Sequence, residues 1–426
     1  MREAIRGAAY RLARWLGLTS SAAANVNGMP ALVATTVAET TPCNARLSDW
    51  RGRRLNLLLP SINARHYFGG IHTAVQLYRA LAEHFPATRI ILVDSAPDDA
   101  ALQRFSDHTK VSCDADSAAT RQIVPFNDRY GRTLPVGADD CWLTTAWWTT
   151  YSAQRLAAWQ QQQFGAAGAL INLIQDFEPG FYPWSSHSAL ALGTYRPDRD
   201  VGVFNTSLLA DYFELQGLAY KHRFVFEPTL NDGLRHALVQ ARTTSRPRQR
   251  RMVIYARPST PRNAFELLCE ALRNWGWSDP TSAQWEVVAA GELTADLDLG
   301  PFKMHALGKL DLPAYAQLLA TSAIGVTLMI SPHPSYPPLE MAAFGMGVVT
   351  NRFANKHLDN FSPNIRSVGQ FTPEAIAAAI AREVGEWERR QMLPLNLMRD
   401  DHAFLGEGGF DEVARQIALS GQMRGS

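Results

Sequence analysis

From residue 54 onward, short unbroken apolar runs alternate with amphipathic stretches. "RLNLLLP", "RIILVD", "DCWLTTAW", "ALINLIQD", "VGVFNTS" and "RFVFEP" come first, with "IHTAVQLYRALAEHF" as a helix after the opening run. Strands buried on both faces read as continuous apolar runs, so this pattern predicts a parallel sheet covered by helices on either side. The texture breaks over 231–250, where "NDGLRHALVQARTTSRPRQR" ends polar and basic and predicts a linker. The alternation then restarts with "MVIYAR", helix "NAFELLCEALRNW", "WEVVAAG", "MHALGKL", helix "LPAYAQLLATS", "IGVTLMI", helix "PPLEMAAFG" and "GVVTN". A further helix begins at Thr372-Pro373-Glu374, an N-cap followed by proline in the first turn, and runs to about residue 392.

The prediction is an α/β protein of two doubly wound Rossmann-like domains, 51–240 and 241–405, facing across a cleft. Residues 1–50 form an N-terminal amphipathic helix and linker, and 406–426 a C-terminal helix placed to cross back to the first domain. Ligands of such sheets sit beyond the carboxyl ends of the strands, here in the cleft.

Composition narrows the classes. Across 426 residues, 41 Lys and Arg meet 40 Asp and Glu, so bulk nucleic-acid binding is not indicated. Cys43, Cys113, Cys141 and Cys269 are scattered without a C-x-x-C pair, which fits reduced thiols in a cytoplasmic protein and not a zinc site. No apolar run reaches the length of a spanning helix. "MREAIRGAAYRLARWLGL" gathers Ile5, Ala8, Ala9, Leu12, Trp15 and Leu16 on one face, with Arg6, Arg11 and Arg14 away from it. Such a helix either rests on an anionic membrane surface or packs on the protein's own body.

Candidate chemistry clusters at strand ends. "YARPSTPRN" places Arg257, Arg262 and Asn263 at the carboxyl edge of the second domain's first strand, offering fixed positive charge and helix N–H groups to a phosphate. In "SPHPSYPPLEMAAFG" the prolines 337 and 338 suit a first helical turn, stiffening the loop that carries His333, Ser335 and Tyr336. Glu340 then falls in or near that first turn, where a carboxylate either serves the helix dipole or accepts hydrogen bonds from a ribose. Asp176 and Glu178 follow "ALINLIQD" and face the cleft, fit to bind acceptor hydroxyls or relay a proton. Beside them Phe177, Phe181, Tyr182 and Trp184 either stack on sugar rings or pack in the core. Lys309 is a further phosphate candidate. The D-x-D strings at Asp114–Asp116 and Asp296–Asp298 are not at convincing strand ends, and no metal site is expected. A G-x-G-x-x-G fingerprint is absent, which speaks against NAD.

"YARPSTPRN" resembles the G-R-x4-K-G stretch of retaining GT-B glycosyltransferases of family GT4, with Arg257 at the arginine and Arg262 at the lysine. "PPLEMAAFGMGVVTN" is similar to the end of their E-x7-E region, with Glu340 as the second glutamate. Gly69-Gly70 resembles the glycine pair of the family's first βα loop, where the backbone approaches the diphosphate and sugar. "LLLPSINARHYFGGIHTA", "LIQDFEPGFYPWSS" and "ISPHPSYPPLEMAAFG" look like the WsaF-type rhamnosyltransferases. The resemblance implies a donor substrate, dTDP-L-rhamnose, a growing surface glycan as acceptor (lipid-linked, at the inner face of the plasma membrane), retention of configuration and no cofactor. One departure stands out. Pro332 occupies the position of the first glutamate, so His333 or a backbone group is expected to take its place at the sugar.

Overall fold

The computed structural model describes residues 35–67, 69–243, 248–389, 398–399 and 401–421. The helix expected within residues 1–20 lies outside them.

The first lobe is built on an eight-stranded sheet with the order β10-β9-β8-β7-β2-β3-β5-β4. Its strands are β2 (Arg54–Leu59), β3 (Ala87–Leu92), β4 (Thr109–Lys110), β5 (Arg121–Pro125), β7 (Asp140–Thr144), β8 (Leu170–Ile174), β9 (Val201–Asn205) and β10 (His222–Phe226), and all pairings are parallel. Crossing helices are α1 (Gly70–Ala82), α2 (Asp99–Arg104), α3 (Trp147–Phe164), α4 (Ser186–Gly193) and α5 (Ser207–Leu215). Every residue of β2, β3, β7, β8 and β9 is buried, which is why these runs are continuously apolar. Among the polar departures from that rule, Arg54 in β2 and Arg89 in β3 converge on buried Asp140 of β7, with Arg54 Nε 2.7 Å from Oδ1. The segment expected as a linker is partly strand: β1 (Asn44–Leu47) pairs in parallel with β6 (Thr133–Val136).

The second lobe carries a seven-stranded sheet ordered β13-β14-β12-β11-β15-β16-β17. These are β11 (Gln249–Ala256), β12 (Glu286–Gly291), β13 (Leu297–Asp298), β14 (Lys303–Gly308), β15 (Ser322–Val326), β16 (Gly347–Asn351) and β17 (Ile365–Val368), with β13 alone antiparallel. Its helices are α6 (Asp232–Thr243), α7 (Phe265–Ser278), α8 (Leu312–Thr321), α9 (Tyr336–Ala343) and α10 (Pro373–Arg389). Strand order reverses between β11 and β15, so the loops leaving those two strands open the crevice where a ligand belongs.

One segment changes the expected boundaries. Leu230, Leu234 and Leu238 join a core with Leu319, Leu339 and Phe344, so α6 is a helix of the second lobe and not a linker. Helix α11 (Phe410–Leu419) crosses back. Its Val413, Ala414 and Ile417 are buried in one cluster with Leu77 and Leu81 of α1.

Candidate functional site

Arg257 stands one residue beyond β11, and its Nε donates to Glu292 Oε1 at 3.1 Å. Glu292 in turn accepts from the Ser259 amide and hydroxyl at 3.1 and 2.6 Å. Burial opposes the charge of Arg257, but Tyr255 and Glu292 more than offset it and hold the pKa above its ordinary value. The Arg257 side chain remains partly exposed, at 39%. Arg262 sits in a turn of 3-10 helix that ends in Ala264, at φ 46°. Its guanidinium lies 4.2 Å from the Phe181 ring centre, and its Nε is 3.5 Å from Asp176 Oδ2 across the interlobe gap. That separation is an ion-pair contact, not a full hydrogen bond, and the buried Nε has no hydrogen-bond partner. Burial pulls the pKa of Arg262 down, and the nearby charge of Arg257 pulls it further.

Asp176 is buried two residues past β8. Its Oδ1 accepts from the amide of Phe177 at 2.8 Å and from the Ser331 hydroxyl of the other lobe. Ser331 Oγ also accepts from the His333 amide at 3.0 Å. The His333 ring is buried, and its Nδ1 accepts from the Ser335 amide at 3.0 Å. Burial, with Lys356 and Arg262 nearby, lowers its pKa to about 4, although Asp176 opposes this. The ring is therefore neutral at pH 7, and the proton sits on Nε2, a buried donor without a partner.

Lys356 completes the cluster. It is fully buried, its ammonium donates to Met329 O, and burial lowers its pKa to about 7 against the pull of Asp176. It lies beyond "GVVTN" in "NRFANKHL", a polar stretch with no periodicity to mark it. The same loop is held by Asn351, whose side chain bonds both the amide and the carbonyl of Met329 at 2.6 and 3.0 Å.

Several expected residues have partners within their own lobe or face solvent. Glu340 is the fifth residue of α9, past the first turn, and its carboxylate accepts from the Tyr315 hydroxyl at 3.0 Å. Burial raises its pKa to about 7. Glu178 does not face the cleft. It is buried, and its Oε2 accepts from the Trp147 amide at 2.6 Å, at the start of α3. Burial lifts its pKa to about 8 despite that bond, with Asp176 adding to the rise. Asn263 also turns inward, its Nδ2 donating to Leu328 O at 3.0 Å. Tyr182 accepts from Trp147 Nε1 at 2.9 Å, while Trp184 projects wholly into solvent. Lys309 is exposed beyond β14, two strands from β11.

Other expected residues are drawn together. Gly69 has φ 54°, a conformation that favours glycine, just before α1. Gln175 donates to Gly70 O at 2.9 Å and so ties the glycine pair to the strand end that carries Asp176. Ser335 is buried with φ 69°, and Tyr336 beside it lies next to the Asn205 side chain of the first lobe. Of the D-x-D strings, Asp116 binds Ser48 and the Asp49 amide, and Asp296 binds His305 and the Ala306 amide. Among the described residues, no group of His, Cys, Asp and Glu could hold a metal ion, and no helix is long and apolar enough to cross a membrane.

Residues 54–207 match the family model described as WsaF, N-terminal domain, and residues 250–381 match WsaF, C-terminal domain. The chain is 30% identical over 289 residues to the O-antigen biosynthesis protein RfbC of Myxococcus xanthus, a match covering 67% of this chain and 21% of that relative. The chain thus spans about a fifth of the length of the curated relative it matches. Anabaena Alr3699/HepE in complex with UDP and glucose superposes with TM-score 0.52 at 12% identity, over 88% of this chain and 96% of that one. Sucrose-phosphate synthase from Thermosynechococcus elongatus gives TM-score 0.50 at 14% identity, over 86% and 97%. At such identities the likeness is one of fold, and that fold is GT-B. With both family domains in order on its two lobes, the chain belongs to the WsaF family.

Proposed function

We propose that this protein is a glycosyltransferase that moves L-rhamnose from dTDP-L-rhamnose to a hydroxyl of a growing bacterial surface glycan, of O-antigen, capsule or S-layer type, with retention of configuration. One observation carries the reading: Arg257 and Arg262 both stand in the loop leaving β11, where the second sheet reverses its strand order, and Arg262 lies 3.5 Å from Asp176 at the strand end that Gln175 ties to Gly70. Family membership, and the O-antigen relative, support glycan assembly as the setting.

The barrier in such a transfer is departure of the nucleoside diphosphate while positive charge builds on the anomeric carbon. Donors already aimed at the developing phosphate charge stabilise that state without reorganising. Arg257 and Arg262 take this role, exchanging Glu292 and Asp176 for phosphate oxygens, and require no metal to do so. Glu340 accepts from the ribose, and the donor Nε2–H of His333 meets the sugar near Pro332. Asp176 orients the acceptor hydroxyl, and the leaving phosphate takes its proton. A lipid-linked acceptor would bring the protein to the inner face of the plasma membrane.

A screen of dTDP-, UDP- and GDP-sugars with a short rhamnose oligomer tests the reading. Turnover of dTDP-L-rhamnose is expected, and Arg257→Ala should lower it by about 10²–10³-fold with the fold intact. Turnover of a different donor removes the rhamnose assignment, and near-normal turnover by the variant removes the phosphate role of Arg257.

A further inference from the structure

One buried charge plays no part in the transfer reading. Lys356 closes a hairpin in the loop after β16, where Phe353 and Lys356 exchange backbone hydrogen bonds of 3.2 and 2.7 Å around Ala354 at φ 47°. This hairpin meets the first lobe through Asn355 Nδ2 on Leu208 O at 2.8 Å and the Phe353 ring beside Tyr212. The Lys356 ammonium instead reaches Met329 O within its own lobe, and the residue is inaccessible to solvent. Among the described residues no carboxylate forms an ion pair with it, and the carboxylate whose charge it feels is Asp176 of the other lobe. Around it stand Asp176 from the end of β8 and His333 from the loop after β15, with Arg262 and Glu227 acting on the same cluster. An ammonium buried on a single neutral carbonyl is costly to keep charged, so its proton is loosely held and its pKa falls to about 7.

We infer that Lys356 is a positioning residue that takes up a proton as a nucleotide sugar binds, and so replaces Arg262 as the cation facing Asp176. The inference rests on the transfer reading and adds to it how the site keeps its charge balanced. In that reading Arg262 leaves Asp176 for a phosphate oxygen. Asp176 is then a buried carboxylate with the Phe177 amide and the Ser331 hydroxyl on its Oδ1 and no cation in contact. Left so, it would itself take a proton, because burial disfavours a lone charge. A neutral carboxyl accepts less strongly than a carboxylate, yet the acceptor hydroxyl must donate as it attacks. Two cations, Lys356 and Arg262, act on this cluster, and Lys356 is the one that remains. Free of Arg262, Asp176 attracts the ammonium proton more strongly, and the diphosphate adds to that attraction. Both raise the pKa of Lys356. A group whose pKa rises on binding takes up protons from solvent at any pH between its free and bound values. Lys356 is thus only partly charged while Arg262 serves Asp176, and fully charged once Arg262 has left.

Calorimetry of dTDP-L-rhamnose binding without acceptor, in PIPES, HEPES and imidazole buffers at pH 7, counts the protons exchanged. Both phosphates of this ligand are esterified, so the ligand itself does not titrate in that range. Lys356→Gln keeps a donor for Met329 O and carries no charge. The unaltered protein should take up about half a proton more per site than this variant, since a lysine with pKa near 7 is half-protonated beforehand. Glu340 exchanges protons in the same range, but equally in both proteins, so it cancels in the difference. Transfer supplies the second readout. Lys356→Gln should lower kcat by about tenfold on the acid side and leave it unchanged at high pH, its acid limb displaced upward by about one unit as Asp176 loses a cation. Lys356→Arg should restore that limb without the extra proton uptake, because its charge is fixed. Equal proton counts in the unaltered protein and Lys356→Gln overturn the inference and leave the transfer reading standing. A loss of kcat that is even across pH also overturns it, because a merely structural lysine behaves that way. Where circular dichroism shows Lys356→Gln unfolded, Lys356→Arg makes the same comparison, and an unchanged proton count in that variant is equally fatal. Failure of dTDP- and UDP-sugars to bind at all removes the transfer reading, and this inference with it.

Discussion

Glu178 shows what burial does to a single carboxylate. Its Oε2 accepts the first free amide of α3, yet the cost of desolvating the charge raises its pKa to about 8. A carboxylate whose folded pKa lies above its unfolded one is neutral-preferring in the fold, so its contribution to stability is lost as pH rises. Here the loss begins near the unfolded value of 4.5 and is complete near 8, at about 1.4 kcal/mol per pH unit. Glu178→Gln keeps an oxygen for the Trp147 amide and carries no charge. Its denaturant midpoint should therefore exceed that of the unaltered protein at pH 8.5 and approach it at pH 4.5. Equal midpoints at both pH values would mean that the carboxylate is not desolvated. Glu340 makes the companion case, with a pKa near 7 and the Tyr315 hydroxyl as partner. If its ionised form is the one that accepts from the ribose, dTDP affinity should rise through pH 7, and Glu340→Gln should flatten the profile in calorimetric titrations.

At the scale of elements, both sheets were largely legible. The continuous apolar runs of β2, β3, β7, β8, β9 and β15 come from burial on both faces, and that condition is written directly in composition. Strands β1, β4, β5, β6, β13 and β17 were missed because each has five residues or fewer, too short for a clear pattern, and β1, β4 and β13 bury no residue at all. Helix α6 reads as linker because the polar, basic run after it dominates the local composition, although Leu234 and Leu238 stand at helical spacing. Arg257 and Arg262 could be placed beside the crevice because a strand end followed by a helix start is a local pattern. Tyr315, Lys356 and the inward turn of Asn263 depend on burial by distant segments, which no local window contains. Backbone strain was also invisible. Ser335, at φ 69° and ψ 146° before α9, occupies a region that only glycine visits freely, and Thr206 does the same before α5 at φ 108°. The Ser335 amide is what fixes Nδ1 of His333, and this bond does not need the serine side chain. Ser335→Gly should relieve the strain and raise stability by about 1 kcal/mol, after the entropy cost of glycine is counted. Chemical denaturation measures this, and a destabilised variant would show that the side chain is needed.

For the whole molecule, the decisive feature is that the chain crosses between lobes twice. It passes into the second lobe before Leu230 and returns after Leu405 to set α11 against α1. The first lobe thus cannot close its core with its own contiguous sequence. Val413, Ala414 and Ile417 fill a cluster that also contains Leu55, Leu57, Val75 and Leu77, all nearly inaccessible to solvent. Contacts between the lobes mix polar pairs, Ser331 with Asp176 and Asn355 Nδ2 with Leu208 O at 2.8 Å, with aromatic ones, Tyr212 with Phe353 and Phe181 with Arg262. Such an interface permits relative motion, whereas the helix strap joins α11 firmly to one lobe. A defect in α11 should consequently weaken the first lobe and leave the second nearly untouched. Ile417→Ala removes a fully buried side chain and should cost the first lobe about 2–5 kcal/mol. Hydrogen exchange read by mass spectrometry separates the lobes. Amides of β2, β3 and α1 should lose protection in the variant, while those of β11, β12 and α7 keep theirs. Loss of protection spread evenly over both sheets would show that the lobes unfold as one unit and that the strap binds them together.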